Sequence, residues 1–262
     1  MSQKKSPPGP RTMAGTLGDF RPSGTPVSRF AVIDAARGVA LLAMFAYHLS
    51  FDLNYFGAIH QNFNFDPFWL TARTLILGSF LLLVGVSLVL ATQQGIRWPS
   101  FLRRLGRVAG CALLVSIGSY LMFPHSWIYF GVLHHIALAS LLGLAFLRLD
   151  WMNLPLGLGL IALGTVLKLS AFDAPALQWI GLMTHKPITE DYVPLLPWFG
   201  AVLLGMFAGR RFVQWDTLGA ARNWAPFGRA TWLLTLAGRH TLLLYMLHQP
   251  IFIGVLYVVL GQ

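Results

Sequence analysis

Charge is scarce in this chain. Asp, Glu, Lys and Arg make up 11% of its 262 residues, against a hydrophobic share of 56%. A soluble domain carries about a quarter charged residues, so a water-soluble globular fold is a poor fit. Cysteine is nearly absent. The single Cys111 excludes an intrachain disulfide and a cysteine metal cluster, and it reads as a small packing residue in an apolar run. There is no Walker-type glycine loop, no zinc motif and no Gly-x-Ser-x-Gly elbow. A transporter-like internal repeat is also missing. The first 28 residues have no apolar core of a signal peptide. They are rich in Pro, Gly, Ser and basic residues, and they read as a disordered cytoplasmic tail ahead of a single membrane domain over 29–262.

What fills the chain instead is long apolar runs. About 20 apolar residues cross the hydrocarbon core of a bilayer, and backbone groups in lipid need internal partners, so spans are helices or closed barrels. The runs do not alternate with period two. The sequence therefore predicts an all-α, polytopic transmembrane helix bundle of about seven spans. These are Phe30–Ser50, Thr71–Ala91, Leu105–Phe123, Ile128–Leu147, Asn153–Ser170, Val193–Ala208 and His240–Leu260. Residues Phe212–Ala237, with Trp215, Trp224 and Trp232 among arginines, read as a loop with an interfacial helix. The glycines of Gly157–Gly164 read as small-residue helix packing.

The net charge is +10. It reads as topology rather than nucleic-acid binding, because the cations form no stripe interleaved with aromatics. One side of the seven-span pattern collects Lys4, Lys5, Arg11, Arg21, Arg29, Arg97, Arg103, Arg104, Arg107, Arg148, Arg210, Arg211, Arg222, Arg229 and Arg239. The other side has Arg73, Lys168 and Lys186. Such an excess marks the cytoplasmic side, which predicts an N-terminus inside and a C-terminus outside. Trp69, Trp98, Trp127, Trp179 and Trp198 fall near span ends, as interface anchors do.

Ionisable groups inside spans are costly and call for a reason. Asp34 and Arg37, three apart, share a helix face. They read either as a local ion pair or as a basic site for a phosphorylated ligand, with Asp34 orienting Arg37. His48 and Asp52, four apart, also share a face. A carboxylate beside an imidazole supports a general base, and the alternative is a polar interface pair. His134 and His135 are adjacent and face different neighbours, so they would not chelate one metal. Depth counting puts His134 near the level of His48, where the two could meet in one cavity. His248 and Gln249 precede Pro250, whose missing amide loosens the helix, and they suggest a pocket wall. Asp191 and Trp198 stand at the mouth of the sixth span, as pocket lining or as helix cap.

These segments carry a resemblance. Residues 29–38 with Asp34, Arg37 and Gly38, the stretch Tyr47-His48 to Gly57, Tyr129 to His134, Pro194 to Trp198 and Leu244 to Pro250 are similar to the heparan-alpha-glucosaminide N-acetyltransferase catalytic domain family. The resemblance implies acyl transfer from cytoplasmic acetyl-CoA, or another acyl-CoA, to an acceptor across the membrane, with a histidine central to catalysis. In the lysosomal member that histidine follows the first span, and by spacing its counterpart here is His60. The chain lacks that member's large luminal domain and several of its spans, which leaves the acceptor open between a glycan and a lipid-linked acceptor. A bacterial inner membrane is the expected setting, with no metal, no nucleic acid partner and homo-oligomerisation left open. A small-solute or proton transporter and a non-catalytic subunit are the competing readings.

Overall fold

The computed structural model describes residues 30–216 and 219–261. The expected tail at 1–28 lies outside them. Eight α-helices are present among the described residues: α1 Ala31–Tyr55, α2 Pro67–Thr92, α3 Trp98–Met122, α4 Val132–Phe146, α5 Asn153–Val166, α6 Leu195–Trp215, α7 Gly228–Arg239 and α8 Thr241–Leu260. Their ends follow local chemistry. Proline opens α2 at Pro67, where a helix needs no amide donor, and the Asp66 side chain accepts from the Phe68 amide at 2.8 Å. Gly261 ends α8 in the left-handed region, at φ 68°, where only glycine is unstrained.

The core lies between α2, α4 and α6. Leu81, Val84, Leu88, Ala139, Phe199, Val202, Leu203 and Met206 are buried there. Glycines let α2 and α6 touch backbone to backbone. A Cβ on Gly85 would run into the Val202 carbonyl, and one on Gly205 into the Leu82 carbonyl. Gly157 and Gly200 do the same between α5 and α6, so part of the Gly157–Gly164 run packs helices as its sequence suggests. Helix α1 packs against α7 through Gly38 and Gly238. Gly38 meets Leu234 and Gly238 meets Asp34, so the two helices run antiparallel. The outward faces are apolar. Helix α3 buries only Ala112 and Ser116, and Leu113, Leu114, Ile117 and Leu121 are exposed, as are Leu243, Leu247, Ile251, Val255 and Val258 of α8. An apolar surface of this kind suits lipid.

The all-α membrane bundle stands, but the span count changes. Four helices, α1, α2, α3 and α8, are long and apolar enough to cross a membrane, fewer than the seven expected. Helices α4 and α5 hold 15 and 14 residues, about 22 Å at 1.5 Å per residue, against a hydrocarbon core of about 30 Å. Helix α6 has 21 residues but carries Arg210 and Arg211 within its last two turns. Arg210 donates to the Leu147 carbonyl at 2.7 Å and Arg211 to Asp150 at 2.7 Å, so its last turns answer to polar partners. Among the described residues, the mixed segment Phe212–Ala237 resolves into the end of α6, a stretch without helix at 219–227 and α7, whose Thr235 and Gly238 are buried.

Candidate functional site

His48 and Asp52 sit one turn apart on α1 and both turn toward α8. The His48 ring lies 4.9 Å from the His248 ring, centroid to centroid, at 65°. Asp52 Oδ1 accepts from Gln249 Nε2 at 2.7 Å. The sequence pairs Asp52 with His48. In the structure the carboxylate bonds across the helix interface instead, because Asp52 and Gln249 are brought face to face. Asp52 and His248 are both buried, at 4% and 7% exposure.

Three aromatic rings hold the His248 imidazole. Phe45 stacks on it at 5.5 Å and 18°, Phe252 meets it edge-on at 5.9 Å, and Tyr245 lies tilted at 5.6 Å. Its Nδ1 is 2.6 Å from the Tyr245 carbonyl. Three buried atoms in this layer have no hydrogen-bond partner: Asp52 Oδ2, His248 Nε2 and Gln249 Oε1. The carboxylate can only accept, so Gln249 gives it the amide nitrogen and keeps its oxygen toward the site. An unsatisfied buried acceptor costs about 1–3 kcal/mol, and natural structures leave few of them outside functional sites. The layer thus offers hydrogen-bond acceptors to a donor-bearing ligand such as an amine or a hydroxyl.

His134 is placed differently. Its Nδ1 accepts from the Gly131 amide at 3.2 Å, closing the start of α4. Its Nε2 is 3.1 Å from Ser116 Oγ, and that hydroxyl donates to the Ile128 carbonyl at 2.6 Å. Both ring nitrogens are therefore engaged, to α3 and to the α4 start, while the partners of His48 come from α1 and α8. His135 is fully buried, with Nδ1 3.2 Å from the Pro194 carbonyl. His60 is exposed on the loop after α1. Asp191 caps α4 by accepting from the Val132 amide at 2.8 Å. Burial pushes its carboxyl upward, against the pull of that amide and of Lys186. Trp198 is half-buried and packs on the α2–α4–α6 core. Removing the cap by Asp191→Ala is expected to cost about 1 kcal/mol, read as a lowered melting temperature in detergent with unchanged helix content.

A second polar layer lies at the N-terminal end of α1. Asp34 is buried, at 6% exposure. It accepts from Arg37 at 2.5 Å and lies 3.5 Å from Arg239 Nε of α7. Arg37 also donates to Ser87 of α2 at 2.6 Å. Arg37 and Arg107 lie within electrostatic reach of Arg104 of α3, which adds a third helix's positive charge to this end. The Asp34–Arg37 pair is legible from its spacing. Ser87 and Arg239 are not, since other helices bring them in, and Phe45 gives no sign of caging a ring on α8. Along α1, His48 comes eleven residues after Arg37, which is about 16 Å of rise. At about 100° per residue the two fall within about 20° of one face. One stripe of α1 thus links the basic layer to the histidine layer.

No curated protein and no solved structure matches the chain. The family described as heparan-alpha-glucosaminide N-acetyltransferase, catalytic, matches residues 29–250, a stretch that holds both polar layers and nearly all of the described bundle, and the chain belongs to that family.

Proposed function

We propose that this protein is an integral membrane acyltransferase that moves an acetyl group from acetyl-CoA, or a related acyl-CoA, to an amine or hydroxyl of a sugar-containing acceptor on the other side of the membrane. The observation that carries this reading is the α1–α8 layer, where buried Asp52 and His248, with partly exposed His48 and Gln249, leave three acceptor atoms unpartnered within the family-matched stretch. Those atoms suit the N–H groups of an amine better than the single O–H of a hydroxyl, in keeping with the N-acetyltransferase named in the family description.

The basic layer of Arg37, Arg104 and Arg239 is the donor end. Guanidinium groups match phosphate oxygens with paired donors, and CoA carries its phosphates at the end remote from the thioester. With the phosphates at Arg37, an extended pantetheine arm runs along the shared stripe of α1 toward His48. The excess of basic residues puts this end at the cytoplasm. The N-terminus is then inside. Helix α8 starts beside Arg239, near Asp34, and reaches Asp52 at Gln249, so it runs the same way as α1 and carries the C-terminus outside, with a bacterial inner membrane as the setting. In the transfer, the acceptor nitrogen attacks the thioester carbonyl and loses a proton to the histidine pair. The carbon–sulfur bond breaks, and CoA leaves. Neutral imidazole is the side chain best suited to take that proton near neutral pH.

Arg37→Gln tests the donor end. Asp34 keeps Arg239 as its counter-charge, so the protein should still insert and fold. One charge-assisted hydrogen-bond set is worth about 1.5–3 kcal/mol, so binding of a non-hydrolysable CoA analogue should weaken by about 10–100-fold. Titration of the purified variant reads this directly, and unchanged affinity would sink the assignment of Arg37 to the phosphates.

A further inference from the structure

We propose that His248 is the proton acceptor of the transfer, with its tautomer set by the helix that carries it. The inference rests on the acyltransfer reading above and divides the work between the two histidines. A backbone carbonyl can only accept a hydrogen bond. With Nδ1 2.6 Å from the Tyr245 carbonyl, the proton of the neutral ring sits on Nδ1, and Nε2 holds a lone pair. That Nε2 is buried and unpartnered. The rings of Phe45, Tyr245 and Phe252 fix the plane of the imidazole, so the lone pair has one direction rather than many.

His135 shares part of this pattern, with Nδ1 3.2 Å from the Pro194 carbonyl and Nε2 unpartnered, but among the described residues no second histidine ring packs on it as His48 packs on His248. The remaining histidines of the bundle differ. His134 has both nitrogens engaged, to the Gly131 amide and to Ser116. His48 is half-exposed and contacts Tyr47 and His248 through its ring, with no hydrogen bond to fix its tautomer among the described residues. His248 therefore combines what a base needs: a fixed tautomer, a free lone pair and a neighbour, His48, to pass the proton on. Asp52 Oδ2 or Gln249 Oε1, both unpartnered, accepts the one remaining N–H of a neutral primary amine at the same layer.

The step balances as follows. The acceptor nitrogen gives a proton to His248 Nε2 and forms a bond to the thioester carbonyl carbon. The carbon–sulfur bond breaks, and sulfur leaves with the electron pair. Transfer of the proton from His248 through His48 to the thiolate releases neutral CoA and returns both rings to their starting state.

Two measurements test this. The first is nitrogen NMR on wild-type protein carrying ¹⁵N-labelled histidine, with the His248 signals assigned by their loss in the His248→Asn variant. A protonated Nδ1 and a lone-pair Nε2 are expected. A protonated Nε2 on the neutral ring would overturn the proposal whatever the protein acylates. The second is His248→Asn itself, whose amide can still donate to the Tyr245 carbonyl but has no lone pair in place of Nε2. Acetyl transfer to an amino-sugar acceptor should fall by about 10²–10⁴ in kcat, with CoA-analogue affinity and melting temperature unchanged. His248→Asn protein that turns over at the parental rate would overturn the base assignment. Wild-type protein that transfers no acetyl group would overturn the functional reading and the catalytic role with it, while the NMR result still judges the tautomer.

Discussion

Protein carrying His48→Ala together with His248→Asn is expected to transfer acetyl groups no faster than the slower of the two single variants. The loss relative to wild type should be about 10²–10⁴. Groups that act on one proton are not additive, because once one is gone the other has nothing left to receive or deliver. The rings are 4.9 Å apart, close enough to share that duty. The assay needs the single and double variants at matched amounts in the same lipid, with initial rates against an amino-sugar acceptor. A double variant whose loss equals the product of the single losses would mean that the histidines work separately. Donor binding should stay at the wild-type level in all three, since the basic layer lies about 16 Å along α1 from His48.

Gly85→Val is expected to prevent a stable fold. The α2–α6 contact is made by backbone against backbone: Gly85 lies on the Val202 carbonyl and Gly205 on the Leu82 carbonyl. A side chain inserted into a packed core costs about 1–3 kcal/mol where neighbouring side chains can yield, and more where they cannot. Here the obstacle is a carbonyl within a helix, so the cost should be at or above about 3 kcal/mol. The purified variant should aggregate in detergent or melt far below wild type. Gly78→Ala is the control. It sits on the same helix with nothing within 4 Å of its added Cβ, so it should fold as wild type does. A Gly85→Val protein with the wild-type melting temperature would contradict the central place given to α2 and α6.

Much of the fold was written in the apolar runs, because lipid permits few ways to satisfy a backbone. The all-α bundle and the approximate place of every helix but α7 follow from that alone. Span number did not. Run length counts residues of apolar character, and it includes residues 128–131 before α4 and 167–170 after α5, which the structure folds outside those helices. The pairs Asp34–Arg37 and His48–Asp52 were legible because helical spacing fixes which residues share a face. What those faces meet was not. Asp52 finds Gln249 and His48 finds His248 only because α8 packs across the C-terminal half of α1, a contact between residues almost two hundred positions apart. Depth counting put His134 near His48, but depth says nothing of direction around the bundle, and the bonds of His134 run to Ser116 and Gly131.

The most direct test of the central claim is transfer across a sealed bilayer. Purified protein would be reconstituted into liposomes, with acetyl-labelled acetyl-CoA on one side and an amino-sugar acceptor on the other. The labelled N-acetyl product should accumulate on the acceptor side with wild-type protein and fall to background with the His48→Ala, His248→Asn double variant. No labelled product from wild-type protein, or equal amounts from wild type and the double variant, would contradict an acyltransferase working through the α1–α8 histidine layer.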